Sequence, residues 1–192
     1  MSSMRKRLTF LAPLILSSAV YARPIFVNEI VVDPQQDWNG SGTVSPSDEW
    51  FELYNPGPGR YNLYGKELHL IDTTPNALSL SNFGWLGAGE RLVILDPEGM
   101  QNNNGRVEIF DVLTQKVVDG FSYGNWAGNT TNIPNGNATG IWNESLSRFP
   151  DASDNFVKTY ATYGTANIPE PGTLALGGLA GLVGLSAMRR RR

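Results

Sequence analysis

The 192-residue sequence predicts an all-β fold, a two-sheet sandwich flanked at each end by a targeting segment. Three observations predict it. Pro and Gly recur at short intervals in the pattern of turn residues. Apolar and polar residues alternate over short runs, the period of half-buried strands. No stretch before residue 174 carries the 3.6-residue periodicity of an amphipathic helix.

From the N-terminus, Arg5, Lys6 and Arg7 precede an apolar run over residues 8–20 and the small-residue ending Val20-Tyr21-Ala22. This is the layout of a secretory signal over residues 1–22, cleaved after Ala22. The apolar run is 13 residues long, too short to cross a hydrocarbon core of roughly 30 Å as a stable anchor.

Eight strands are expected next, at 25–32, 49–54, 67–71, 91–95, 106–111, 116–123, 145–149 and 156–158. The turns between them have the required chemistry, as in Asn55-Pro56-Gly57-Pro58-Gly59 and Asp96-Pro97-Glu98-Gly99: Pro fixes φ, while Gly and Asn accept positive φ. Trp50, Leu53, Val93, Ile94 and Phe121 supply an expected core. Residues 33–47 and 124–143 are rich in Asn, Gly, Ser and Thr and read as long surface loops. Residues 23–158 are thus expected to form the domain and 159–168 a linker.

The C-terminal segment, 169–192, joins Pro169, Glu170 and Pro171 to an apolar, glycine-rich stretch over 174–188 and to Arg189, Arg190, Arg191 and Arg192. An apolar helix followed by arginines stops in a membrane with the basic cluster on the cytoplasmic side. The two prolines hold Glu170 in extended chain, suited to a protease cleft. Together these features resemble the PEP-CTERM sorting signal of Gram-negative bacteria. The resemblance implies exosortase, a membrane-embedded transpeptidase, as processing partner, with transient anchoring through the short transmembrane helix and delivery to the cell surface or to extracellular polysaccharide.

Within the domain, Val27-Asn28-Glu29-Ile30 and, some twenty residues on, Asp48-Glu49-Trp50-Phe51-Glu52-Leu53-Tyr54-Asn55 resemble the opening of the lamin tail domain. The likeness continues in order through Tyr61-Asn62-Leu63-Tyr64-Gly65 with Leu68-His69-Leu70-Ile71-Asp72, Leu86-Gly87-Ala88-Gly89-Glu90-Arg91-Leu92-Val93-Ile94, Val117-Val118-Asp119-Gly120-Phe121-Ser122-Tyr123-Gly124, Ser145-Leu146-Ser147-Arg148-Phe149-Pro150-Asp151 and Thr162-Tyr163-Gly164-Thr165-Ala166-Asn167. This resemblance implies an immunoglobulin-like β-sandwich. Tyr163 departs from it, standing where the family's ending usually has Pro. Glu29, Glu52 and Arg148, embedded beside core positions, are expected to pair or to cap backbone groups.

Composition narrows the function. Residues 23–168 hold 8 basic and 17 acidic residues, a net charge of −9, which argues against nucleic acid as a partner. With no Cys and a single histidine, His69, placed between Leu68 and Leu70 on a strand, the chain lacks the ligands for zinc and the usual base of a nucleophilic triad. No catalytic residue is assigned and no enzyme is expected. Calcium is the one metal the sequence raises, through Asp33, Asp37, Asp48 and Glu49 in or beside one loop; the competing reading is a solvated acidic loop. Trp38, Trp85, Trp126 and Trp142 fall in Gly- and Asn-rich segments, where rings either stack on a ligand such as a sugar or pack against the sandwich edge. The expected function is a cell-surface or extracellular-matrix interaction or structural module, in contact with extracellular polysaccharide or envelope proteins. The alternative is a secreted calcium-dependent hydrolase or a carbohydrate-binding accessory domain.

Overall fold

The computed structural model describes residues 24–71, 76–97, 100–125, 131, 133–139 and 143–167. The segments 1–22 and 169–192, with the expected transmembrane helix, lie outside the described residues. Among the described residues no helix is long and apolar enough to cross a membrane.

Eleven strands form among these residues: β1 (Phe26–Val31), β2 (Trp50–Tyr54), β3 (Tyr61–Asn62), β4 (Lys66–Ile71), β5 (Asn76–Ser79), β6 (Trp85–Leu86), β7 (Arg91–Leu95), β8 (Asn104–Asp111), β9 (Lys116–Gly124), β10 (Glu144–Arg148) and β11 (Phe156–Tyr160). The described residues are all-β apart from two single 3-10 turns, Pro46–Asp48 and Ser81–Phe83. All eight expected strands are present. A five-stranded sheet has the order β11-β10-β1-β2-β7, a four-stranded sheet the order β5-β4-β8-β9, and β3 pairs with β6 in a separate ribbon.

Alternation along the strands sends Phe51, Leu53, Ile94 and Leu146 from the larger sheet, and Leu68, Leu70, Val107, Ile109 and Phe121 from the smaller one, into a single apolar core. Trp50 and Val93 have the opposite parity. Trp50 is fully buried, yet it lies on the outer face of the larger sheet and not in the core shared by the two sheets.

Central strand β1 is buried at all six positions, because both of its faces are covered. Its register shifts between Val27, opposite Leu53, and Glu29, opposite Glu52, a bulge that leaves Asn28 without a position on β2. Beside it, Val27 N–H donates to Asp119 Oδ2 on β9 at 2.8 Å, and the Val27 carbonyl accepts from Arg148 Nε at 2.8 Å. Arg148 closes the arrangement by donating from NH2 to both Asp119 oxygens, at 3.0 and 2.9 Å, with both side chains fully buried. The Phe26 and Phe156 rings lie against its guanidinium, 5.0 and 4.4 Å from Cζ to centroid.

The outer face is covered by residues 161–167, a stretch expected to be linker. Thr162 donates from N and Oγ1 to Glu29 at 2.9 and 2.6 Å, Gly164 N donates to Glu52 at 3.0 Å, and Asn167 reaches the Arg148 carbonyl at 2.8 Å. Asn167 is buried. Strand β11 runs on to Tyr160, and these polar contacts hold residues 161–167 against the sheet.

Candidate ligand-binding surface

The β3–β6 ribbon carries the exposed aromatic surface. Inward, Leu63 and Leu86 are buried. Outward, Asn62 stands opposite Trp85 across the pair, and Trp85 is 51% exposed. Tyr64 and Phe83, each two residues from one of that pair, are also exposed. Gly84 makes the reversal between the 3-10 turn and Trp85 at φ 69, a conformation that a side chain would strain, and its carbonyl accepts from Leu63 N–H at 2.8 Å.

Beside the ribbon is a cleft of about 540 Å³ walled by Phe26, Pro56, Pro58 and Tyr61, with Arg60 and Pro24 also in its lining. One side chain fixes its loop. Asn55 Nδ2 donates to the carbonyls of Gly59, Leu86 and Gly87 at 2.8 to 2.9 Å, and Asn55 Oδ1 accepts from Gly57 N–H at 2.9 Å. The Asn-Pro-Gly-Pro-Gly turn is thereby fastened to β6, and Arg60 is brought over Trp85, with Cζ 4.3 Å from the ring centroid.

The other candidate residues fall elsewhere. Trp38 stacks on Tyr163 at 5.0 Å and meets Trp50 edge-on at 5.6 Å, so its ring is spent on packing. Among the described residues the buried indole N–H groups of Trp38 and Trp50 have no hydrogen-bond partner, and the trio is held by ring contact. Trp126 and Trp142 lie outside the described residues, as do Pro169, Glu170, Pro171 and the four terminal arginines.

The acidic quartet is dispersed in its bonding. Asp48 accepts from the amides of Trp38, Asn39 and Ser45 at 2.8 to 2.9 Å. Burial would raise its carboxyl, but these amides outweigh burial and hold it below the ordinary value. Asp37 accepts from Ser41 and Gly42, and Asp33 from Ala138. Glu49 is pushed up to about 8, first by burial and then by the charges of Asp96 and Asp33. Among the described residues no group of three or more His, Cys, Asp or Glu is arranged to hold a metal ion. Asp37 and Asp48 shape the 37–48 loop as backbone acceptors.

On the smaller sheet His69 Nε2 lies 3.0 Å from Glu67 Oε2, and its ring stacks on Phe110 at 4.6 Å.

Arg60, Tyr64 and Phe83 were not among the candidates from sequence. Their signal was local: Arg60 follows directly on a Pro-Gly turn, and Tyr64 and Phe83 each adjoin a glycine, which leaves a ring few neighbours to pack against.

This is an all-β exported domain bearing a sorting label. The PEP-CTERM protein-sorting motif matches residues 167–192, and it marks the chain for export, processing by exosortase, and sorting to the cell surface or extracellular space. No curated protein and no solved structure shows a match to the chain.

Proposed function

We propose that this protein is a cell-surface or extracellular-matrix interaction module, delivered by exosortase and held by extracellular polysaccharide, with no catalytic role. The observation that carries this reading is the exposed Trp85 ring on the β3–β6 ribbon, with Arg60 lying over it and also lining a pre-formed cleft, while Tyr64 and Phe83, two residues from the Asn62–Trp85 pair, are exposed as well. Exposed rings next to amide groups suit sugar polymers, through stacking and paired hydrogen bonds.

The domain is read as an immunoglobulin-like sandwich of the lamin tail kind. In support, the resembling segments fall on β1, β2, β4, β7, β9 and β10 in order, and the last of them is the segment laid over the outer face. The nuclear partners of lamin tails do not transfer to an acidic exported domain.

The test is retention of the purified protein by isolated extracellular polysaccharide. The parent should be retained, and Trp85→Ala with Tyr64→Ala should lose most of that retention at unchanged circular dichroism. Equal retention of parent and double variant would reduce the domain to a spacer, and release of sugar products in the presence of calcium would replace this reading with a hydrolase.

A further inference from the structure

Arg60 differs from the other described arginines. Arg91 is paired with Glu52 and Asp151, Arg106 with Glu108, and Arg148 with Asp119. Arg60 makes no ion pair or hydrogen bond among the described residues, although the domain carries an excess of carboxylates. Its one contact of this kind is the Trp85 ring, which takes a flat face of the guanidinium. The N–H donors lie around the edge of that plane, so stacking leaves them free and fixes their direction.

The surroundings define what those donors meet. The cleft volume of about 540 Å³ is within the range of small-ligand sites, and its Phe26, Tyr61 and proline walls suit the C–H face of a sugar ring. The exposed Trp85 ring, with Arg60 over it, adjoins the cleft that Arg60 lines, and Tyr64 and Phe83, two residues from the Asn62–Trp85 pair, are also exposed, more stacking surface than a single small molecule needs. A forked cation with unused donors at the mouth of such a cleft selects a carboxylate, which it can bind in two parallel hydrogen bonds.

We propose that the cleft and the Trp85 face bind a uronate-bearing polysaccharide, one sugar carboxylate being held by Arg60 while neighbouring rings stack along Trp85 and Tyr64. This rests on the reading of the protein as a polysaccharide-held module and names the class of polymer. The domain's overall negative charge opposes a polyanion at long range, but at about 0.15 M salt charges separated by more than about 8 Å are largely screened and the local contact decides.

The experiment uses the full chain and two immobilised probes, polygalacturonate and its methyl ester, which differ only at the carboxyl group, charged in the first and methylated and neutral in the second. The parent should bind the acid roughly tenfold or more tightly than the ester, in keeping with a charge-assisted pair. Arg60→Gln should erase that difference, Arg60→Lys should restore only part of it because the fork is lost, and Trp85→Ala should weaken binding to both probes. The proposal is overturned if Arg60→Gln binds polygalacturonate as the parent does, or if the parent binds acid and ester alike. A parent that ignores both probes but is retained by its own extracellular polysaccharide sinks this inference alone; loss of retention on that material sinks the functional reading with it.

Discussion

Arg148 places a charge between the two sheets, where an unpaired cation would be too costly to keep. Asp119 and the Val27 carbonyl make the position tenable, and in return the pair bonds both backbone groups of Val27 beside the β1 bulge. Arg148→Met alone should therefore cost about 3 to 5 kcal/mol, because the buried Asp119 loses the guanidinium that forks onto it, whereas Arg148→Met with Asp119→Leu should cost less. Urea unfolding of the three proteins measures both values. Glu52 has the opposite problem. It faces Glu29 across β1 and β2, and burial first, then the Glu29 charge, push it up to about 7 against the donors Asn28 and Gly164 and the charge of Arg91. A carboxyl whose folded value is raised binds its proton more tightly in the folded state, so its contribution is full below about 4.5 and is lost as pH rises toward 7. Glu52→Gln should lessen that fall in stability between about pH 4.5 and 7, the part due to the raised Glu49 and Glu29 remaining. Denaturation midpoints at pH 5 and pH 7.5 check the sign, and a parent that gains stability over this interval while the variant stays flat would refute it.

At the scale of elements, the segment 161–167 behaves as part of the sheet it crosses. It supplies donors to Glu29 and Glu52 and sets Tyr163 edge-on against Trp50 at 5.3 Å. Thr162→Val should cost about 1 to 3 kcal/mol by leaving buried Glu29 short of a donor. Trp50→Ala should cost about 3 to 5 kcal/mol, and chains ending at Tyr160 should show red-shifted tryptophan emission as Trp50 meets water. Little of this could be read from sequence. Strands such as β2 (Trp50-Phe51-Glu52-Leu53-Tyr54) and β7 (Arg91-Leu92-Val93-Ile94-Leu95) were legible as short apolar runs between turn residues. A run of that kind left the face of Trp50 ambiguous, since an aromatic under a covering segment has the composition of a core residue. The two-residue strands β3 and β6 are shorter than any period can register, and β5 alternates between half-buried and exposed positions, which leaves almost no apolar signal. Segment 161–167 has no period at all. It is placed by single polar bonds to carboxylates distant in sequence, and only the fold shows where those carboxylates point. The binding surface was half legible for the same reason: Trp85 stood out by residue type, while Arg60 depends on where the Asn55-fastened turn puts it.

For the whole molecule, the domain and its address label adjoin with almost nothing between them. Asn167 is buried against the sheet, and Ile168 is the one residue separating it from Pro169. Protein recovered from the cell surface should begin near Arg23 and lack Arg189 to Arg192; an intact mass that retains the arginines would contradict sorting through this motif. The covering segment also decides how the molecule responds to force. A pull on the C-terminal end of the described chain enters at Asn167 and meets single bonds in succession, first those of Asn167, then Gly164 to Glu52, then Thr162 to Glu29. Beyond them the load reaches β11, the edge strand, which can unzip from β10 one pair at a time. The segment should therefore yield before the core does, lengthening the tether by about 3.3 Å for each residue released, so that the ribbon, with the Trp85 face, stays folded on a stretched protein.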